Sequence, residues 1–242
     1  MSTTEMPATP LVPTGPRARV RQGVQPIARG LGRLGLTPNA LTLIGFGIAV
    51  VAAWLAAEQA WLAAGILVAF GALFDLFDGA LARATGTASK FGAFLDSTFD
   101  RAGEAVVYVG IAAGCLAAAF AGGALLATAA LAASVMVSYT RAKSESLGYA
   151  PGSGMANVGW APREVRMVIL VVGLLLTALG GGTQTPLLYL EGIDLPLGLF
   201  FDTILGREWL QVSLGLITLL ASFTTIQRIF HVYREAKKQE PQ

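Results

Sequence analysis

Apolar residues along this chain gather in long runs, each about the length of a bilayer span and separated by short polar connections. The runs cover about Asn39–Ala57, Trp61–Arg83, Phe91–Ala118, Ala124–Ser144, Glu164–Ala178 and Trp209–Val232. Residues 105–140 carry no charge and are too long for one span, so Ala121-Gly122-Gly123 is expected to break them into two helices. The pattern predicts an all-α polytopic membrane protein with six transmembrane helices. Thr37-Pro38-Asn39 reads as the start of the first, with Thr37 as cap and Pro38 in the first turn.

Ahead of that start, Val20–Leu34 places Ile27, Leu31 and Leu34 on one helical face and arginines elsewhere, the pattern of an amphipathic helix lying on the membrane. The expected organisation is a disordered tail over 1–16, a juxtamembrane amphipathic helix over 17–36, a six-helix membrane domain over 37–234 and a tail over 235–242. Residues 180–206, rich in Gly, Pro and Leu, are expected to form an outer loop.

Composition agrees with this pattern. The 242 residues are 54% hydrophobic and 13% charged, about half the charge density of a soluble domain. Net charge is +2, too small to call for a nucleic-acid partner, and none is expected. The placement of the charges says more. Arg17, Arg19, Arg21, Arg29 and Arg33 precede the first span. Arg83 and Lys90 lie in the second connection, Arg141, Lys143, Arg163 and Arg166 flank the fourth, and Arg228, Arg234, Lys237 and Lys238 close the chain. The other side keeps only Arg207. The positive-inside rule then puts both termini in the cytoplasm. Cys115 is alone in an apolar run and reads as a small buried hydrophobe. His231 has no second soft ligand near it in sequence.

Against this apolar background, Asp75, Asp78, Asp96 and Asp100 stand inside two spans. Charge at bilayer depth is costly and marks a functional site. Asp75 and Asp78 share one face of the second span, and Asp96 and Asp100 one face of the third. In an antiparallel hairpin turning near Gly86–Thr87, Asp75 comes level with Asp100, and Asp78 with Asp96. At a rise of about 1.5 Å per residue the acids lie roughly 12–20 Å from that turn. Clustered carboxylates without nitrogen or sulfur ligands ask for hard divalent cations, and two such ions are the usual clamp for phosphoryl groups. Arg83 sits where it could meet a phosphate, and Gly79 and Gly92 leave room for close approach. A purely structural pairing with Arg83 and Arg101 leaves four acids and Glu104 unbalanced. A cation-coupled transporter is the alternative of a different class.

The string Asp75-x2-Asp78-Gly79-x2-Ala82-Arg83-x8-Gly92-x3-Asp96-x3-Asp100 resembles, at every fixed position, the signature of the CDP-alcohol phosphotransferases. The resemblance extends to Thr37-Pro38-Asn39 and the six-span layout. It implies transfer of a phosphatidyl group from CDP-diacylglycerol to an alcohol, with release of CMP. It implies that Asp75, Asp78, Asp96 and Asp100 form the metal site for two Mg2+ or Mn2+ ions, with Asp100 also the catalytic base. Asp75, Asp78, Gly79, Ala82 and Arg83 would bind the CDP moiety. It further implies a homodimer in the plasma membrane.

Arg141, Lys143, Arg163 and Arg166 fall level with one another at the mouths of spans four and five. They suit the phosphate of a phosphorylated alcohol, and the alternative is ordinary positive-inside anchoring. Tyr139-Thr140-Arg141-Ala142-Lys143-Ser144-Glu145 and Arg163-Glu164-Val165-Arg166 are similar to segments of the phosphatidylinositol phosphate synthase branch, with the first segment's lysine and arginine exchanged. Inositol 1-phosphate is the first expected acceptor and glycerol 3-phosphate the second.

Overall fold

The computed structural model describes residues 30, 32, 35–149, 158–183 and 197–239, except for the side chains of 76, 78, 197–205 and 239. The expected tail over 1–16, nearly all of the helix over 17–36 and the centre of the loop over 180–206 lie outside these residues. Among the described residues from 38 onward, six helices follow one another: α1 (Pro38–Ala57), α2 (Trp61–Thr85), α3 (Lys90–Ala117), α4 (Ala121–Ser146), α5 (Arg163–Leu179) and α6 (Leu197–Gln239). Within the described residues, α1, α2, α4 and the 206–238 part of α6 are long and apolar enough to cross a membrane. The acids of α3 and the 17-residue length of α5 set those two helices apart.

Local chemistry sets the helix ends. Thr37 caps α1 by accepting a hydrogen bond from the Ala40 amide at 3.2 Å, and Pro38 occupies the first turn. α2 ends on Gly86 in the left-handed region, and α3 restarts with Ser89 accepting from the Gly92 amide at 2.9 Å. Two expected boundaries are corrected. Gly122 and Gly123 do not break the run between α3 and α4; the chain turns at Ala118–Phe120, with Ala119 at φ 52°. Gly123 serves packing instead, since a Cβ there would stand 2.4 Å from the Phe120 ring. Residues 197–206 are helical rather than looped, because α6 begins at Leu197. With 43 residues it spans roughly 65 Å, longer than a bilayer is thick, and its end takes in part of the expected tail over 235–242.

The helices close a ring. α1 packs on α2 and α3, α3 on α4, α4 on α6, α6 on α5, and α5 back on α2. α2 and α3 touch little, so they are not the packed hairpin that the sequence predicts. The physical reason lies in α1, which takes the close-packing faces of both. A Cβ on Gly110 of α3 would stand 2.1 Å from the Ala53 carbonyl oxygen, and one on Gly114 2.1 Å from that of Ala56. On the other side, Gly45 of α1 lies against Phe74 and Asp75 of α2, whereas Gly47 faces open space. Gly110→Ala is therefore expected to force α1 and α3 apart and destabilise the bundle by about 1–3 kcal/mol. Gly47→Ala should be silent. Thermal unfolding in detergent checks both, and equal melting temperatures would mean a looser α1–α3 contact.

Tyr108, Ile111, Leu170, Leu174, Leu210, Leu214 and Ile217 are buried within the ring, while Leu125, Val168 and Leu219 are exposed on its outside, where lipid tails would cover them. At one end Arg207 ties three segments together. It donates to the Thr183 carbonyl at 2.8 Å and the Ala118 carbonyl at 3.0 Å, and its guanidinium lies 5.3 Å from the Phe120 ring centroid. Asp75, Asp96, Asp100, Arg141 and Arg163 lie toward the opposite end.

Candidate functional site

A cleft lies in the slack between α2 and α3, bordered by α1 and by the first residues of α5. Asp75 from α2 and Asp100 from α3 face each other across it. Both hold one nitrogen: Nη1 of Arg163 lies 2.7 Å from Asp75 Oδ2 and 2.9 Å from Asp100 Oδ1. The second oxygen of Asp100 accepts from Arg101 Nη1 at 3.3 Å. Gly45 keeps room beside Asp75, since a Cβ there would stand 3.3 Å from Oδ1.

Asp75 and Asp100 thus meet as their helical register predicts, although their helices do not pack. Asp96 lies half-buried on α3, one turn nearer the α2–α3 connection. Asp78 follows Asp75 by three residues on α2, and its side chain is outside the described residues, so the second pairing stays an expectation. Arg83 is exposed and folds back along α2, with Nη1 3.2 Å from where a Gly79 Cβ would be. Ala82 is half-buried beside it. The absence of a side chain at Gly92 lets α3 approach α1, because a Cβ there would stand 3.3 Å from Asn39 Oδ1.

The four expected acceptor-site cations divide. Arg141 is half-buried, with Nε on Glu145 at 2.9 Å, and Lys143 is exposed. Arg163 is turned into the acidic cleft, and its Nε is buried without a partner among the described residues. Arg166 lies elsewhere and is corrected here: it does not face an open pocket. Only 1% exposed, it grips Glu104 of α3 with Nε and Nη2, both at 2.9 Å, and gives Nη1 to the Ala161 carbonyl at 2.9 Å. A buried charge needs such partners, and Glu104, itself 4% exposed, lies deep enough to meet it.

Sequence reasoning missed the Arg163 bridge, the Glu104–Arg166 pair and the buried Arg228 of α6, which holds main-chain oxygens. The signal for Arg163 and Arg166 was present. Glu104 and the four aspartates needed more positive charge than Arg83 and Arg101 supply, and two arginines begin span five.

The donor chemistry fits hard divalent cations: carboxylates only, on facing helices, already drawn to one positive charge. Among the described side chains no three carboxylates converge on one point; Asp75 and Asp100 are turned onto Arg163, and the Asp78 carboxylate is not among them.

Residues 35–204 match the CDP-alcohol phosphatidyltransferase family, and the chain belongs to that family. It is 43% identical to the archaetidylinositol phosphate synthase of Pyrococcus horikoshii over 162 residues, covering 67% of this chain and 81% of that one. Its fold is similar to that of Mycobacterium tuberculosis phosphatidylinositol phosphate synthase in a crystal structure with CDP-DAG bound: TM-score 0.71, 26% identity, 91% of this chain and 98% of that one. A crystal structure of the same mycobacterial enzyme with manganese and citrate gives a TM-score of 0.69 at 27% identity, over 90% of this chain and 93% of that one.

Proposed function

We propose that this protein is a divalent-metal-dependent membrane transferase that moves a phosphatidyl group from CDP-diacylglycerol to the hydroxyl of inositol 1-phosphate, releasing CMP. The observation that carries it is the meeting of Asp75 and Asp100 on one cationic group across the α2–α3 cleft, within the family motif. The relatives from Pyrococcus and Mycobacterium are named for different lipid portions but the same inositol phosphate product, which favours inositol 1-phosphate over glycerol 3-phosphate. Family membership with an intact acidic motif favours an enzyme over a cation-coupled transporter.

Asp75, Asp78 and Asp96, with Asp100 beside them, would hold two Mg2+ or Mn2+ ions. Bound there, the ions neutralise charge on the diphosphate and on the departing CMP. The chain supplies the rest. Gly79, Ala82 and Arg83 contact the CDP moiety at the outer end of α2. Asp100 takes the proton from the acceptor hydroxyl as its oxygen bonds to the lipid-side phosphorus. The bond between that phosphorus and the bridging oxygen breaks, and CMP leaves with the bridging oxygen. Arg101 and Arg163 fix the Asp100 carboxylate in place, which limits the reorganisation needed at the moment of transfer.

The acceptor phosphate is read by Arg141, Lys143 and Arg163. The unused Nε of Arg163 supports that role, since it remains a donor even while Nη1 holds the acids. Arg166 acts one step removed, by fixing the base of α5. Lysine and arginine placement supports a cytoplasmic position for this end of the bundle, and the family resemblance supports the plasma membrane as its location. Assembly as a homodimer belongs to the same reading and rests on the family resemblance alone.

The test offers inositol 1-phosphate, glycerol 3-phosphate, free inositol and serine side by side, with CDP-diacylglycerol and Mg2+ or Mn2+, and identifies the lipid formed. Phosphatidylinositol phosphate should dominate. Equal reaction of free and phosphorylated alcohols would contradict the acceptor assignment.

A further inference from the structure

α5 carries Arg163 at its first residue, and Arg166 in the same turn holds the Ala161 carbonyl at 2.9 Å. Pro162 precedes the helix and no side chain caps it. A second hold comes from α6. Thr224 Oγ1 accepts from the Ala161 amide at 3.0 Å. Arg228, 4% exposed, donates through Nε to the Val158 carbonyl at 3.1 Å and through Nη1 to the Val137 carbonyl of α4. Gly159, at φ 113°, is pressed so close to Thr224 that a Cβ would stand 2.2 Å from Cγ2. Trp160 lies on Phe223 with ring centroids 5.1 Å apart. From α6, then, two side chains grip the turn that launches α5.

The Val137 contact gives this grip a second end. Val137 stands one helical turn before Arg141 on α4, about 6 Å along the axis. Val158 stands five residues before Arg163. One guanidinium therefore holds the two main-chain segments that present Arg141 and Lys143 on one side and Arg163 on the other. Neither hydrogen bond of Arg228 goes to a carboxylate; a desolvated cation has been satisfied with carbonyls instead.

We propose that Thr224 and Arg228 are positioning residues that set the spacing between the α4 cations and Arg163, and through that spacing the affinity for the acceptor phosphate. This rests on the acceptor assignment above. Neither residue touches the substrate. Each acts on it through main-chain oxygen or nitrogen of another segment.

The test uses full-length protein in nanodiscs, with Thr224→Val, Thr224→Ser and Arg228→Lys. Thr224→Val keeps the shape of the side chain and removes the oxygen that accepts from Ala161. Thr224→Ser keeps the oxygen and serves as the rescue. Arg228→Lys keeps the charge but loses the fork that spans two carbonyls. Two readouts are taken: steady-state KM for inositol 1-phosphate and for CDP-diacylglycerol, and hydrogen exchange of residues 158–166 without substrates or metal. Thr224→Val and Arg228→Lys should each speed exchange in that segment. Each should raise the acceptor KM about tenfold while leaving the donor KM within about twofold. Thr224→Ser should match the wild type in both. Faster exchange with an unchanged acceptor KM would overturn the proposal, because the grip would then be structural only. A raised acceptor KM with unchanged exchange would overturn it too, since the residues would be touching the substrate. Wild-type protein that uses free and phosphorylated alcohols equally would overturn the acceptor assignment and this inference with it. Wild-type protein that discriminates, beside variants that keep its KM, would overturn this inference alone.

Discussion

Asp100→Asn should lower the rate of CMP release by about 10²–10⁴-fold while leaving metal-dependent binding of CDP-diacylglycerol nearly intact. Asn keeps the size of the side chain but cannot accept a proton from the attacking hydroxyl. The carboxylate is held on both sides, by Arg163 at 2.9 Å and Arg101 at 3.3 Å, so its position is fixed and its loss cannot be made good by a neighbour swinging in. Asp75 shares Arg163 but lies on α2, among the residues assigned to metal and CDP. Asp75→Asn should therefore weaken donor binding as well as turnover. CMP release and binding of labelled CDP-lipid, each with and without Mg2+, separate the two variants. Substantial turnover by Asp100→Asn would remove the base assignment.

The second large effect is on stability. Arg166→Ala should destabilise the protein by about 3–5 kcal/mol, because it strands Glu104, 4% exposed, without its cation. The pair links α3 to α5, which meet only across the ring, and its loss also frees the Ala161 carbonyl. Replacing both partners together, Glu104→Leu with Arg166→Met, should cost less than either single change, since no buried charge is left over. Thermal unfolding and yield of folded protein in detergent check this. A well-folded Arg166→Ala with a raised acceptor KM alone would return Arg166 to the phosphate pocket.

The two kinds of charge were not equally readable in the sequence. The acids stood out because nothing but function explains four carboxylates inside apolar spans, and helical register alone brought Asp75 level with Asp100. The limits at Thr37 and near Gly86 were legible for a similar reason: both are local signals, and local signals survive in any tertiary setting. The cations were less readable. An arginine near a helix end looks the same whether it anchors the protein to headgroups or turns inward, so Arg163, Arg166 and Arg228 were all first credited to topology or to an open pocket. Which one turns inward depends on neighbours far away in sequence, such as Asp75, Glu104 and Val137. The packing order failed for the same reason. α2 and α3 are joined by a short turn, but Gly110 and Gly114 let α1 approach α3 more closely than α2 can. That displacement opens the cleft. The error at Gly122–Gly123 is of another kind, since glycine was read as a breaker where it makes room for Phe120.

In the proposed mechanism the facing acids of α2 and α3 hold the divalent ions that in turn hold the diphosphate. Anomalous diffraction from manganese in crystals of the wild-type protein with CDP-diacylglycerol is the decisive measurement. About two manganese peaks are expected in the α2–α3 cleft, ligated by Asp75, Asp78 and Asp96 and touching the diphosphate. Peaks elsewhere, with Asp75 still paired to Arg163 while the CDP-lipid is bound, would overturn it.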